Sequence, residues 1–398
     1  MSKWEWKKLG EVYDFTRGLT YSKKDEVESS SNCILRSNNI DLQTNSINLD
    51  ELKYIKDEID IPQEKYVRKN TILICMSNGS KAHLGKVAYI DKDYDFAFGG
   101  FMGLLKPKCE INGKFVHLYL CSDEYKNFIK SLSDGANINN LKFDDLRKFE
   151  IPFPPLSEQN RIVKFLDEEF SKIETLKTNA ETNLKNAKEL FETTLEKELN
   201  PPSRHSERSE ESSAELPSGW EWKALDEFST NLDAKRKPVT KKNRVNGNYP
   251  YYGASGIVDY VDSYIYDGKY LLISEDGANL VARSTPIAFI AEGQFWVNNH
   301  AHIIETANEA TLQYLVYFFE NLDLSPYVKG MAQPKLSQDS LYKIPIPLPP
   351  LSVQKEIVAR LDKLSENVKR LEANYKQIIA DCDELKKSIL KKTFERES

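Results

Sequence analysis

The sequence predicts an α+β fold: two mixed α/β modules, separated along the chain by two long helices that pair as an antiparallel coiled coil. Three observations predict it. Trp4-Glu5-Trp6-Lys7, followed by Leu9 and Glu11, recurs as Trp220-Glu221-Trp222-Lys223, followed by Leu225 and Glu227, at an offset of 216. Pro154-Pro155-Leu156-Ser157 with Gln159 recurs as Pro349-Pro350-Leu351-Ser352 with Gln354, now at an offset of 195, and each copy opens a long stretch of helical periodicity. Ahead of each Pro-Pro motif, short β-type runs alternate with polar turns. The offsets differ by 21 residues, so the region between the Trp and Pro motifs is shorter in the second copy while the segment after it keeps its length. The chain therefore divides into a module over 1–156, a helix over 157–199, a linker over 200–218, a second module over 219–351 and a second helix over 352–394.

In the first module, Ile72-Leu73-Ile74-Cys75-Met76 reads as a strand running into the turn Ser77-Asn78-Gly79-Ser80. Further strands are expected at 86–90 and 101–105 and a helix at 115–131. A polar loop, Gly135 to Leu141, ends the module. In the second, Tyr270-Leu271-Leu272-Ile273-Ser274 runs into Glu275-Asp276-Gly277-Ala278-Asn279, with strands expected at 287–291 and 301–305, a helix at 309–321, and a loop from Gly330 to Leu336 matching the first at offset 195.

Each long segment starts after prolines that cannot continue a helix backwards, with Ser157 and Ser352 placed as N-caps. In the second helix Ile357, Leu361, Leu364, Val368, Leu371, Ile378 and Leu385 lie on one a/d seam; in the first, Ile162, Leu166, Ile173, Leu176 and Leu190 keep the same frame with polar interruptions. A helix of that size is roughly 65 Å long at ~1.5 Å per residue. One such stripe alone would read as packing on its own module. Two copies of equal length, each with no comparable partner in its own half, point to pairing with each other. Between them, 203–218 is rich in Ser, Glu and Arg with no apolar period, which reads as a flexible linker.

Composition bounds the function. The chain has 398 residues, 55 basic and 61 acidic, for a net charge of −6. Residues 1–150 are balanced, 151–219 carry −5, 220–348 carry −3 and 349–398 carry +2, so the acidity is concentrated in the first helix and linker. The start lacks the apolar run of a signal peptide and no stretch approaches a membrane span, which predicts a cytoplasmic protein. Five scattered Cys without a CxxC encode neither a disulfide framework nor a zinc site. No GxxxxGK[ST] phosphate loop and no GxSxG elbow occurs, so ATPase and serine-hydrolase readings lose their support.

Several clusters suit nucleic acid. Lys235, Arg236, Lys237, Lys241, Lys242 and Arg244 fall within ten positions of an otherwise acidic module, the footprint of phosphate contact, against the alternative of a solvated face. Tyr251 and Tyr252 follow closely as stacking candidates or as ordinary strand residues. Asn and Gln amides can pair with adenine and Lys with guanine or phosphate. On that basis the candidate DNA contacts are Arg36, Asn38, Asn39, Ser77, Asn78, Ser80, Lys81, Asn137, Asn139, Asn140 and Lys142 in the first module. In the second they are the basic cluster, Tyr251, Tyr252, Ser255, Asn279, Arg283, Asn299, His300, His302, Gln333 and Lys335. Asn and Gly equally make turns. His300 and His302 stand at i and i+2 on a strand, but no further ligand pattern completes a metal site, so none is expected.

These motifs together resemble the DNA-specificity (S) subunit of type I restriction-modification systems, over essentially the whole chain. The Trp-Glu-Trp-Lys openings, the second preceded by Leu216-Pro217-Ser218-Gly219, and the two Pro-Pro-Leu-Ser-x-Gln helix starts carry the resemblance. So do Tyr251-Tyr252-Gly253-Ala254-Ser255-Gly256, Ile273 to Asn279 and Asn298 to His302, which resemble one class of that family's target recognition domains. The resemblance implies two target recognition domains, each reading half of a bipartite double-stranded DNA target, with the helices setting the spacer and docking two methyltransferase (modification) subunits. It also implies that this subunit is not an enzyme and holds no cofactor; S-adenosylmethionine, ATP and Mg belong to the methyltransferase and restriction/translocase partners. Asn200-Pro201-Pro202-Ser203 resembles the Asn-Pro-Pro-aromatic tetrapeptide of adenine methyltransferases, but Ser203 replaces the stacking aromatic. The alternatives are a specificity subunit of a restriction-less phage-defence methyltransferase and, from another class, a DNA adenine methyltransferase in its own right.

Overall fold

The computed structural model describes residues 4–133, 140–199, 216–330 and 334–395. The described chain forms two compact units. The first comprises residues 1–180 and 377–398, the second 181–376, so each unit contains one α/β module and one stretch of each long helix.

In the first unit the order is β1 (Glu5–Lys8), α1 (Leu9–Val12), β2 (Tyr13–Arg17), β3 (Glu26–Val27), β4 (Asn32–Leu35), β5 (Lys53–Ile55), β6 (Thr71–Cys75), β7 (Val87–Ile90), β8 (Phe96–Phe98), β9 (Met102–Pro107), α2 (Gly113–Tyr119), α3 (Asp123–Ser133), α4 (Phe143–Leu146), β10 (Glu150–Phe153) and the long helix α5 (Leu156–Leu199). Two four-stranded sheets result, β2-β9-β6-β7 and β3-β5-β4-β8, with β4 and β8 parallel and the remaining pairs antiparallel. The apolar run of β6 is buried along its whole length, as expected of a strand covered on both faces. The helix expected at 115–131 is instead α2 and α3, broken at 120–122. Asn112 caps α2 by accepting from Lys114 N (3.0 Å) and Phe115 N (3.2 Å), and Ser122, which opens α3, accepts from Lys126 N at its backbone carbonyl.

In the second unit the order is β11 (Glu221–Lys223), β12 (Ser229–Asn231), β13 (Tyr249–Gly253), β14 (Gly256–Val261), β15 (Tyr266–Ser274), α6 (Asn279–Ala282), β16 (Ala288–Val297), β17 (Ala301–Thr306), α7 (Glu309–Asn321), α8 (Gln338–Leu341), β18 (Ile346–Leu348) and the long helix α9 (Leu351–Phe394). The sheet is six-stranded, β12-β17-β15-β16-β13-β14. Its organisation repeats the first module with two changes: no strand corresponds to β3, and one strand replaces β7 and β8. Residues 91–95, Asp-Lys-Asp-Tyr-Asp, separate β7 from β8, whereas β16 runs unbroken, pairing antiparallel with β15 and then parallel with β13 at Tyr251 and Tyr252. One continuous strand thereby joins what are two sheets in the first module.

The repeated motifs acquire a physical meaning. Each Trp motif is a strand that pairs antiparallel with the strand just before a Pro-Pro motif: Trp6 faces Pro152 in β1–β10, and Trp222 faces Pro347 in β11–β18. The two ends of each module are thus tied together. Ser157 and Ser352 are not N-caps, because each helix starts one residue earlier, at Leu156 and Leu351. The motif residue that matters is the glutamine. Buried Gln159 donates from Nε2 to Pro154 O (2.9 Å) and accepts at Oε1 from Asn112 N (2.9 Å). Buried Gln354 donates to Pro349 O (2.8 Å) and accepts from Thr311 Oγ1 (2.8 Å). In both units the helix start is latched to the first turn of a module helix.

Within each unit the two long helices run antiparallel. In the first, Lys177 pairs with Asp383 (2.9 Å) and Glu174 with Lys386; in the second, Lys188 pairs with Glu372 (3.9 Å) and Glu198 with Arg360 (2.6 Å). Helix C-termini seat in the cores: Phe394 stands 5.4 Å from Phe115 and 5.2 Å from Tyr119, while Leu195 and Leu199 join the apolar core of the second unit. Of the expected seam, Ile162, Leu166, Ile173, Ile357, Leu361 and Val368 are buried, and Leu364 and Ile378 are half-buried. Leu176, Leu190, Leu371 and Leu385 are not in the interface: they are 51%, 59%, 36% and 47% exposed. The contact is narrower than the apolar stripe, because one line of residues at seven-residue steps, Leu166, Ile173, Ala180 and Ala187, takes the partner helix and the adjacent line is left at its edge. No helix among the described residues is long and apolar enough to cross a membrane.

Candidate nucleic-acid interface

Polar loops converge at one end of each module, and the same backbone hydrogen bonds assemble them. In the first, Leu141 N donates to Met76 O (2.7 Å), Met76 N and Ser77 N both donate to Phe101 O (2.9 and 3.1 Å), and Gly99 N donates to Leu35 O (2.9 Å). Ser77 and Asn140 form an antiparallel bridge. Asn78 Nδ2 donates to Ser37 Oγ (2.8 Å), drawing the 36–39 turn to the 77–80 turn. The face so built carries Arg36, Asn38, Ser77, Asn78, Ser80, Asn140 and Lys142. Asn39 is not on it: the side chain is buried, donating to Asn48 O and Glu51 O and accepting from Arg36 N, so it shapes the turn. Asn137, Asn139 and the side chain of Lys81 lie outside the described residues.

In the second module Leu336 N donates to Glu275 O (2.8 Å), Glu275 N to His300 O (2.9 Å) and Asn298 N to Tyr252 O (3.1 Å), with Asp276 and Lys335 bridged. Asn279 ties the loop together, donating to Ser255 Oγ (3.2 Å) and Thr285 O (2.8 Å). Asn299 and Lys335 are exposed and His300 half-exposed, its Nδ1 2.8 Å from Asp276 Oδ1. Gln333 lies outside the described residues.

The basic cluster divides in two. Lys235, Lys237, Lys241 and Lys242 are exposed. Arg236 and Arg244 are struts. Arg244 donates to Val239 O (3.1 Å) and pairs with Asp259 (3.0 Å), its guanidinium lying 4.3 Å from the Tyr251 ring centroid. Tyr251 is itself buried, and its hydroxyl accepts from Val239 N (3.0 Å), so it pins the basic loop and does not stack on a ligand. Tyr252 is half-buried in an aromatic cluster with Phe289 and Phe295. Arg283, at φ +51°, donates to Phe319 O (3.0 Å) and to Leu322 O, capping the end of α7, so it too is structural.

Below the loops lies a buried ion network. Arg236 pairs with Glu275 and with Asp233 (3.3 Å), Lys335 with Glu275 (3.0 Å), and His302 Nδ1 with Asp233 (2.6 Å), while His302 Nε2 faces Leu336 O at 2.8 Å. His302 is 1% exposed, so its work is internal. Burial pushes the Asp233 and Glu275 carboxyls up, but His302 above all holds Asp233 below the ordinary range, and Arg236 and Lys335 do the same for Glu275. Asp233, Glu275 and His302 present ligand-type atoms within 4.8 Å of one another, a spacing that suits a cation. The cations already there are Arg236 and Lys335. His300 and His302 do not share a face directed at one ligand: one stands at the turn, the other in β17. Sequence reasoning missed Asp276 and the exposed turn residue Phe101; aligning the turns after β6 and β15 would have set Asp276 against Ser77, and aligning the turns ahead of β9 and β17 would have set Phe101 against His300.

The family described as type I restriction modification DNA specificity domain matches residues 1–186 and 217–380. A putative type I restriction enzyme specificity subunit of Haemophilus influenzae is 44% identical over 146 residues, 36% of this chain and 37% of that one. The StySPI type I restriction enzyme specificity subunit of Salmonella potsdam is 25% identical over 99% of this chain and 89% of its own. A solved structure, reported under complex assembly and conformational transition of the type I R-M system, aligns with a TM-score of 0.74 at 19% identity, covering 99% of this chain and 98% of that chain, and shares the fold.

Proposed function

The chain belongs to the type I restriction modification DNA specificity family, and from that premise we propose that each module reads one half of a two-part target in double-stranded DNA. In this reading α5 and α9 fix the unread gap between the half-sites and dock two methyltransferase subunits. The chain performs no chemistry itself. S-adenosylmethionine, ATP and Mg serve the methyltransferase and restriction/translocase partners.

The observation that carries the proposal is the duplicated loop face: one set of backbone hydrogen bonds, built twice, presents two different sets of polar side chains. A scaffold that conserves backbone and varies side chains suits reading two sequences by groove contacts, with exposed Lys235, Lys237, Lys241 and Lys242 fixing register on phosphates. Two-fold docking of one partner is supported by the exposed leucines, which also occur twice. Leu176 and Leu385 belong to the first unit, and Leu371 and Leu190, their equivalents at offset 195, belong to the second.

Methylome sequencing of the host with and without this gene tests the reading. Two adenine-containing half-sites at a fixed gap, lost with the gene, are expected; one continuous site would overturn it. Insertion of one heptad into both helices should change the gap and leave the half-sites unaltered. Because the chain is net acidic, tight binding is expected to need the methyltransferase subunits, whose surfaces supply further phosphate contact.

A further inference from the structure

The turn Gly99-Gly100-Phe101-Met102 leads from β8 into β9 and is closed by Met102 N donating to Gly99 O (2.8 Å). Its backbone is pinned by two segments, 17–19 and 76–77. Gly18 N donates to Met102 O (3.1 Å), Leu19 N to Phe98 O (2.7 Å) and Arg17 Nε to Gly100 O (3.2 Å), while Phe101 O accepts from Met76 N and Ser77 N. The approach of Gly18 to this turn is so close that a Cβ there would meet Gly99 O at 2.0 Å. On this fixed backbone the Phe101 side chain is 70% exposed, more than any other large hydrophobic among the described residues. An isolated exposed apolar residue needs no explanation. This one stands where the 36–39, 77–80 and 140–142 loops meet.

A second observation gives the position its meaning. In the other module Asn298-Asn299-His300-Ala301 leads from β16 into β17. His300 O accepts from Glu275 N as Phe101 O accepts from Met76 N, and Asn298 N donates to Tyr252 O as Gly99 N donates to Leu35 O. Leu336 N reaches Glu275 O as Leu141 N reaches Met76 O. The bridges Ser77–Asn140 and Asp276–Lys335 match as well. Four correspondences place Phe101 at the position that His300 fills. There the second module offers an imidazole beside the Asp276 carboxylate; the first offers a bare aromatic ring.

We infer that Phe101 is a specificity-determining side chain of the first module, its ring making apolar contact with the bases of one half-site, against a thymine C5-methyl group. The inference rests on the reading of both modules as DNA readers. A ring without donor or acceptor cannot use the hydrogen-bond pattern of a base edge, and the methyl group is the one apolar feature the major groove presents. Being uncharged, it makes no phosphate contact, so its effect lies in sequence choice and not in salt-dependent affinity. The pinned turn holds the ring in place before binding, which saves ordering cost.

The test uses the full chain assembled with its methyltransferase partner. Wild-type methylome sequencing defines the two half-sites. Phe101→Ala is expected to weaken binding to the cognate duplex by roughly 5- to 150-fold, with an unchanged slope against salt. It should relax the recognised sequence at a position within one half-site, and His300→Ala should relax the other half-site only. Replacing the thymine at the relaxed position by uracil should weaken wild-type binding and leave Phe101→Ala unaffected. Phe101→Leu, which keeps apolar bulk, should retain part of the affinity. Melting temperatures should be unchanged, since the ring is exposed. The inference is overturned if Phe101→Ala keeps full affinity and the same recognised sequence, if both half-sites relax together, or if no thymine-to-uracil change affects the wild type. A wild-type complex that methylates no defined sequence would refute the underlying reading instead.

Discussion

Gln159→Ala should loosen the junction between the first module and its long helix. The amide is 1% exposed and makes two bonds, to Pro154 O and from Asn112 N. Truncation leaves a backbone carbonyl and a backbone N–H facing a small void, and each unmade bond of a buried group costs about 1–3 kcal/mol. Allowing for partial relaxation, the loss should be about 2–4 kcal/mol. For a unit of roughly 200 residues, 1 kcal/mol shifts Tm by about 2–4 °C, which gives a fall of about 4–16 °C by calorimetry. Gln354→Ala should do the same in the second unit, where Pro349 O and Thr311 Oγ1 lose their partner. The isosteric Gln159→Glu should be no milder: it keeps an acceptor for Asn112 but turns a buried, charged oxygen toward Pro154 O. Losses below about 0.5 kcal/mol in both alanine variants would refute the latch and return the glutamines to the status of incidental helix residues.

The basic cluster should split by function. Arg236→Ala strands the Glu275 and Asp233 carboxylates and should destabilise by about 3–5 kcal/mol, seen in urea unfolding. Lys235→Ala and Lys237→Ala should leave stability unchanged, while the salt slope of DNA binding should fall by about 0.9 for each lysine–phosphate pairing that the substitution removes. His117 is buried and desolvation lowers its pKa from 6.5 to about 4, so the unfolded chain binds its proton more readily. Its contribution is therefore complete above about pH 6.5 and is lost as pH falls towards 4, worth about 3 kcal/mol; His117→Gln should flatten the stability–pH curve over that window. Leu176→Asn with Leu371→Asn should leave melting within about 0.5 kcal/mol of wild type and reduce assembly with the methyltransferase subunits, measured by mass photometry.

Much of the fold was legible in the sequence because it is written twice. The helix at 309–321 and the strands around 72–76, 86–90 and 301–305 fall where periodicity puts them. The break at 120–122 was not legible: the apolar run continues through Leu118, Tyr119 and Leu120, and the helix ends there in a local turn whose i→i−3 bonds, Cys121 N to Leu118 O and Ser122 N to Tyr119 O, replace the helical ones. The site was legible by loop and illegible by residue. Composition groups Arg236 with Lys235 and Lys237, yet a guanidinium with five donors is the group that a buried pair of carboxylates can satisfy, and the ammonium groups remain in water. His302 and Tyr251 were misplaced for a related reason, since a polar atom on a strand reports a hydrogen bond without saying whether its partner is solvent, protein or DNA. Phe101 escaped notice because an apolar residue is assigned to a core by default.

The leucines expose the limit of heptad reasoning and also what the limit is worth. A period of seven identifies residues on one stripe but not how many partners share it. Within each unit the helix pair is closed by one line of residues, small where the helices approach, as at Ala180, Ala187 and Cys382, and edged by ion pairs such as Lys177–Asp383 and Lys188–Glu372. On the adjacent line Leu176 and Leu190 of α5 and Leu371 and Leu385 of α9 are apolar and left exposed. For a chain that folded only to hold two modules, polar residues there would serve as well, as Glu169 and Asn183 do in the same frame. That the leucines recur at matching positions in both copies means that the surplus apolar line belongs to the repeated unit. A stripe wider than its intramolecular contact leaves room for a second chain on the same helix, which is why the proposed docking of one partner at both units is tested at these leucines.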